Sequence, residues 1–418
     1  MCGIAGLLGV PPHLAEAAAP RMLAAMRHRG PDDSDVAIIH HIRGHHPPAV
    51  LLHTRLAILD LTSAGHQPMA DRPMDPSESA NWIVFNGEVF NFLDLRAELE
   101  KAGRSCHTRC DTETILHAYR LWGASCVERF RGMFSWCLLD TKQGTAWFCR
   151  DRLGIKPLYL ARPRCGGLLF ASEVRTLLAA GPALVPPRVN ASAVESFLAQ
   201  GAVCGLESIV EGVELLAPGE WLQTDWSGKS QNTRKYWQAP FIPHGEKPAR
   251  SQPTLLRARV VTRMADTLRD AVKLRLIADV PLGLFLSGGI DSGALATVAT
   301  EVNGPVRTIT VGFDQPEFDE TEAAESVAKI LRTEHVSLRL TGHDLLDDLP
   351  GALAAVDQPT VDGFNTYFVS RATRRAGLKV ALSGLGGDEL FGGYASFRDV
   401  PRAVRWRRHL RKLGQTRR

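Results

Sequence analysis

The chain has 418 residues, is 44% apolar and carries a formal net charge of +4, enough for two or three domains with separate cores at roughly 100–200 residues each. No run of about 18 apolar residues occurs, which argues against a membrane-spanning helix, and the apolar start before Pro11-Pro12 lacks a basic lead-in, so no signal peptide is expected. Eight of the 49 Lys/Arg and none of the 45 Asp/Glu lie in residues 401–418, leaving the remainder at net −4; this distribution argues against a nucleic-acid partner.

The first chemical feature in chain order is Cys2, in Met1-Cys2-Gly3-Ile4-Ala5-Gly6. Removal of Met1 leaves a thiol and a free α-amine on one residue. An amine with pKa near ~8 can take the thiol proton, which makes a complete nucleophile. A buried, inert cysteine is the alternative at this position. The eight cysteines are scattered without a Cys-x-x-Cys pair and read as reduced thiols of a cytoplasmic protein. His40, His41, His45 and His46 flank Gly44 before Pro47-Pro48, as an exposed loop would. Cys106-His107 with Cys110 has no second pair to complete a metal site.

Residues 1–186 read as α+β: short apolar runs at 82–85, 134–139 and 145–148 predict strands, and the patterns at 93–102 and 112–122 predict helices. Pro186-Pro187 breaks this texture. A helix is expected near 191–200, then Gly- and Pro-punctuated short strands, with a polar stretch at 225–234, run to about 253 as a connector completing the first domain. From 254 to 418 the grain becomes helix–strand alternation: helices at 255–278, 292–301 and 320–331, strands at 282–286, 306–311 and 379–382. Such alternation predicts a doubly wound parallel sheet covered on both faces. In the tail, Ala403, Trp406, Leu410 and Leu413 share one face of an expected amphipathic helix.

The second chemical feature is Leu286-Ser287-Gly288-Gly289-Ile290-Asp291-Ser292-Gly293, an apolar strand passing through a Gly-rich turn into a helix. Backbone N–H groups there form an anion cradle. It lacks the Lys-Ser/Thr ending of nucleoside-triphosphatase loops and the Gly-x-Gly-x-x-Gly of dinucleotide sites. The string looks like the pyrophosphatase loop of enzymes that cleave ATP between the α- and β-phosphates. A second strand end, Leu382-Ser383-Gly384-Leu385-Gly386-Gly387-Asp388-Glu389, would face the same crevice of a parallel sheet. Asp291 and Asp388 could then share Mg²⁺ on the pyrophosphate.

Together with Cys2, the stretches Arg27-His28-Arg29-Gly30-Pro31-Asp32, His53-Thr54-Arg55-Leu56-Ala57-Ile58, Phe85-Asn86-Gly87-Glu88-Val89-Phe90-Asn91 and Asp111-Thr112-Glu113 make the chain similar, over nearly its whole length, to the glutamine-dependent asparagine synthetases. The resemblance implies an N-terminal-nucleophile hydrolase sandwich (αββα) followed by an α/β ATP-pyrophosphatase domain, with ATP, aspartate and glutamine as substrates and a homodimeric assembly. It implies that Cys2 attacks glutamine, that Asn86 and Gly87 stabilise the oxyanion, that Arg55 holds the α-carboxylate and Asp111 the α-ammonium, and that Ile58 and Glu88 complete the glutamine site. In the second domain it implies that Ser287, Gly288, Gly289, Asp291 and Ser292 bind pyrophosphate, that Val311 meets the adenine, and that Ser383 and Gly384 line the adenylate pocket. Mg²⁺ would sit with ATP on Asp291 and Asp388, and ammonia would pass internally between the two sites. Leu385 stands where members often carry an acidic residue, and Gly293 replaces a common serine. The family usually continues beyond this point with a helical region bearing a phosphate-neutralising lysine, so glutamine hydrolysis with weak asparagine formation is the expectation.

Overall fold

The computed structural model describes residues 1–40, 46–71, 80–240 and 253–415, with side chains described outside 253–257, 318 and 408–415. His41 and His45, and the side chains of Leu410 and Leu413, lie outside the described set; His40, His46 and Trp406 are exposed. The chain forms two units. One comprises Met1–Ser251, Ile277–Asp279 and Asp348–Phe368, the other Gln252–Leu276, Val280–Asp347 and Val369–Arg418. Among the described residues no helix is long and apolar enough to cross a membrane.

The first unit contains strands β1 (Gly3–Leu8), β2 (Asp33–Ile39), β3 (Ala49–Arg55), β4 (Met69–Ala70), β5 (Asn81–Val89), β6 (Gly132–Asp140), β7 (Thr145–Arg150), β8 (Tyr159–Ala161), β9 (Leu168–Ala171), β10 (Val213–Leu215), β11 (Glu220–Asp225) and β12 (Ser230–Lys235). They form two six-stranded sheets, in the orders β10-β8-β9-β1-β3-β2 and β12-β11-β7-β6-β5-β4. Strand periodicity explains the layering, because successive side chains point to opposite faces. Ile4 and Leu8 of β1 share a core with Val84 of β5, Cys137 and Leu139 of β6 and Phe148 of β7, so this core lies between the sheets. The alternate residues Ala5 and Leu7 pack on Ala15, Ala18 and Met22 of the helix Pro12–Ala25 and on Val174 and Leu177 of the helix Val174–Ala179. On the far side of the second sheet, Ile83 and Phe85 pack on Leu95 of the helix Phe92–Lys101 and on Ile115, Leu116 and Tyr119 of the helix Asp111–Trp122. Two sheets between two helical layers make an αββα sandwich. Residues 213–235, expected as connector strands, supply the outermost strands of both sheets. The polar stretch is the exposed edge strand β12, whose charged face suits an unpaired edge.

The second unit holds β13 (Leu282–Phe285), β14 (Arg307–Phe313), β15 (Glu334–Leu340) and β16 (Val380–Leu382), all parallel, in the order β15-β14-β13-β16. The first and last of these strands in sequence are neighbours, so the winding direction reverses between them and a crevice opens at their C-terminal ends. The helix Pro253–Arg275 packs Val272 with Leu284, Ala299 and Val306, while Leu286 and Ala296 pack on Ala324 and Ala328 of the helix Thr321–Leu331. The first helix stops at Arg275, short of the expected 278, because Ile277–Asp279 depart into the first unit. Strand β15 has no counterpart among the expected elements: Glu334, His335 and Arg339 give this edge strand a polar composition that hides it.

Candidate functional site

The first cluster of reactive groups is built around the start of β1. The Leu56 N–H donates to Cys2 Sγ at 3.4 Å, and the segment that presents it is held from both sides. Ala57 N–H donates to the Asp32 carboxylate at 2.8 Å, and Ile58 accepts from Asp279 N–H at 2.9 Å. Burial pushes the Cys2 thiol up, opposed by the Leu56 N–H, the N-terminal amine and Arg55, so the thiol carries its proton near neutral pH. The α-amine in this structure is that of Met1 and stands for the amine Cys2 would bear after processing. Burial lowers it to about 6, so it is largely neutral at pH 7 and able to accept a proton.

Arg55 ends β3 with its guanidinium inside a tight loop. It donates to Thr62 O at 2.8 Å, to Leu59 O at 3.3 Å and to Asp60 O at closer range. Gly65 makes this loop possible, since a Cβ there would overlap the guanidinium. Asp60 is itself fixed by Thr62, by Arg109 N–H at 2.8 Å and by its own N–H to Asp279 at 2.8 Å.

Asn86, Gly87 and Glu88 follow one another on β5. Asn86 is 1% exposed, and among the described residues neither its carboxamide oxygen nor its nitrogen has a hydrogen-bond partner. Such orphaned buried polar atoms cost stability and call for a reason. Asp111, at the N-terminus of its helix, accepts from Val89 N–H at 2.8 Å, and burial pushes its carboxyl up to about 6. Cys2 senses the charges of both Asp111 and Arg55, and the N-terminal amine senses Glu88. The structure therefore gathers Cys2, Arg55, Glu88 and Asp111 into one electrostatic neighbourhood, with Asn86 on the strand that bears Glu88. Glu113, two residues further along the same helix, belongs to the scaffold. It accepts from His107 N–H, Thr108 N–H and the Thr108 hydroxyl, and against its burial these bonds and His117 hold it at about 2.

Three residues assigned no role from sequence join this cluster. Arg29 donates to Cys2 O at 2.9 Å and to Glu173 at 2.9 Å, and Lys156 reaches Met1 Sδ at 3.1 Å. The only sequence signal for Lys156 is a lone cation inside the run Ile155-Lys156-Pro157-Leu158-Tyr159.

The second cluster lies at the reversal point of the parallel sheet. Ser292 Oγ accepts from Ser287 N–H at 3.1 Å, Ser287 Oγ accepts from Gly289 N–H at 3.1 Å, and the two hydroxyls lie 2.8 Å apart. Gly288 N–H donates to a carboxylate, Glu320 Oε2, at 3.1 Å, so this donor already faces an anion. The loop after β16 closes on the loop after β13: a Cβ on Gly384 would lie 3.1 Å from Ser292 N, and one on Gly387 would overlap the Asp291 carboxylate. Ser383 accepts from Leu385 N–H at 3.2 Å, Leu385 is 86% exposed, and Val311 sits on β14. Among the described residues neither the Asp291 nor the Asp388 side chain has a hydrogen-bond or ion-pair partner. Two uncommitted carboxylates on facing loops suit a hard cation shared with phosphate oxygens.

A thiol cluster on a β-sandwich and a glycine loop at a parallel-sheet switch point define a two-part amidotransferase. Residues 1–237 match the glutamine amidotransferase domain family and residues 263–418 the asparagine synthase family. The chain belongs to the glutamine-hydrolysing asparagine synthetase family. It is 33% identical over 409 residues to a protein of Methanocaldococcus jannaschii provisionally named asparagine synthetase (glutamine-hydrolyzing) 2, covering 94% of this chain and 76% of that one. It is 30% identical over 405 residues to asparagine synthetase (glutamine-hydrolyzing) 1 of Bacillus subtilis, covering 96% of this chain and 60% of that one. A glutamine phosphoribosylpyrophosphate amidotransferase from B. subtilis, complexed with ADP and GMP, has TM-score 0.42 and 13% identity, covering 91% and 90% of the two chains.

Proposed function

We propose that the chain makes asparagine from aspartate, glutamine and ATP, using Cys2 as N-terminal nucleophile and the β13–β16 crevice as adenylation site. The observation that carries the first half is Asn86: a buried carboxamide with no partner among the described residues, on the strand of Glu88, is a preformed donor for a charge that arises only during reaction. With Met1 removed, Cys2 Sγ attacks the glutamine carboxamide carbon as its proton passes to the neutral α-amine. The oxyanion is met by Asn86 and Gly87, the amine returns the proton to the leaving ammonia, and water then cleaves the thioester to glutamate. Arg55 and Asp111 hold the substrate α-carboxylate and α-ammonium, with Ile58 and Glu88 beside them.

In the second unit the aspartate side-chain carboxylate attacks the α-phosphate of ATP, releasing pyrophosphate to Ser287, Gly288, Gly289 and Ser292. Ammonia then displaces AMP from β-aspartyl-AMP. Asp291 and Asp388 would hold Mg²⁺, which when bound neutralises pyrophosphate charge. Ser383 and Gly384 would line the adenylate pocket, and the Val311 backbone would meet the adenine.

The test is an assay for glutamate, AMP, pyrophosphate and asparagine with the wild type and Cys2→Ala. The wild type is expected to form glutamate from glutamine. Cys2→Ala should lose this and retain aspartate-dependent AMP release with ammonia. Glutaminase activity persisting in Cys2→Ala would refute the nucleophile, and AMP release indifferent to aspartate would refute the acceptor. The exposed apolar Leu385 favours one second reading, a related amidotransferase acting on a different carboxylate. AMP release with another carboxylic acid but not with aspartate would establish it.

A further inference from the structure

Lys156 has a placement that the reaction above does not use. The chain leaves β7 and winds around the Asp151 carboxylate, which accepts the N–H groups of Leu153 at 3.1 Å, Ile155 at 3.0 Å and Lys156 at 2.9 Å. The Lys156 carbonyl accepts from Arg150 Nε at 3.1 Å. The backbone is thus fixed on both sides and the side chain is aimed inward, leaving the residue only 5% exposed. Among the described residues the single hydrogen-bond partner of its ammonium is the Met1 thioether sulfur. A thioether is a weak acceptor, and a buried ammonium without a strong one is unfavourable. Stability therefore does not explain a cation in this place. Its position beside the N-terminus does.

We propose that Lys156 is a positioning residue for Cys2, its ammonium lying against the processed N-terminus and favouring the neutral amine and the thiolate over their protonated forms. The proposal rests on the reading of Cys2 as nucleophile. A nearby positive charge lowers the pKa of both groups, because both become less positive on losing a proton, and Lys156 acts in this sense on the N-terminal amine. Burial lowers the Lys156 pKa itself, and Glu88, Asp151 and Cys2 oppose that while Arg29 adds to it. Glu88 and Arg29 also act on the amine, and Asp111 and Arg55 on the thiol. All of these charges stay in place when only Lys156 is changed.

The experiment compares the wild type with Lys156→Met, which keeps the volume, and Lys156→Arg, which keeps the charge. One readout is the pH profile of kcat/KM for glutamine hydrolysis. The other is the pH dependence of Cys2 alkylation by iodoacetamide, followed on the Cys2 peptide by mass spectrometry. Both acid limbs are expected to move up by about one pH unit in Lys156→Met and to stay near the wild-type position in Lys156→Arg. A folded Lys156→Met protein that is slower but keeps both limbs in place overturns the proposal, since a merely structural role would do just that. Should that variant not fold, Lys156→Gln is read by the same criteria. The alkylation titration reads Lys156 even if Cys2→Ala retains glutaminase activity, which separates failure here from failure of the nucleophile reading.

Discussion

At the scale of single residues, the cluster around Cys2 holds buried polar and charged groups at a cost in stability. Asn86 is the plainest case, since neither end of its buried carboxamide is bonded among the described residues. Asn86→Ala is expected to leave urea stability unchanged or raised. The same change should cut kcat for glutamine hydrolysis by about 10²–10³, equivalent to ~3–4 kcal/mol of transition-state stabilisation. Parallel loss of stability and activity would instead mean a packing role. Asp111 bears the same cost through its charge. Burial raises its carboxyl from 3.8 to about 6, so between these pH values the folded state binds a proton that the unfolded state has released. Its contribution to stability therefore falls as pH rises through that window, by on the order of 3 kcal/mol at neutral pH. Asp111→Asn should raise the melting temperature. Measured by calorimetry in the Cys2→Ala background, where no thiol chemistry intervenes, glutamine affinity should weaken progressively below pH 6 and lose that dependence in Asp111→Asn.

At the scale of elements, two loops leaving adjacent parallel strands meet at Asp291. The approach is so close that Gly387 has no room for a methyl group against this carboxylate. Gly387→Ala must displace either the Asp291 side chain or the 383–388 loop, so ATP-dependent pyrophosphate release is expected to fall at least about tenfold. Glutamine hydrolysis without ATP should be unchanged. Equal loss of both activities in a folded protein would contradict this separation of labour. The glycine-rich strings are legible as turns in the sequence itself, because few other residues permit close backbone approach. Glu320 is not: nothing in its local sequence marks it as the partner of Gly288 N–H, 32 residues away.

At the scale of the whole chain, segments from beyond residue 250 complete the first unit. The helix Val174–Ala179 has no side-chain cap of its own. Asp357 provides one from 183 residues away, accepting from Val174 N–H at 2.8 Å, Arg175 N–H at 2.9 Å and Arg175 Nε at 3.2 Å. Glu173, just before this helix, pairs with Arg29, and Arg29 holds the Cys2 carbonyl. Asp357→Ala is therefore expected to destabilise the unit by about 1–3 kcal/mol in urea unfolding and to lower glutaminase activity, although the residue lies far along the chain from Cys2. An unchanged unfolding midpoint would show that the cap is dispensable.

Local chemistry carries much of the molecule. The α+β and parallel-sheet classes and most helices of 92–331 follow from periodicity and turn residues, and the two reactive strings from the short-range needs of thiol and phosphate chemistry, whereas the αββα layering is implied by the family resemblance. The edge strand β15 escapes because its solvent-facing polar residues erase the alternation on which recognition depends. The ionisation of Asp111 and the amine, the inward aim of Lys156 and the cap from Asp357 are decided only by tertiary structure. Each depends on desolvation or on a hydrogen bond between residues remote in sequence, and neither leaves a trace in local composition.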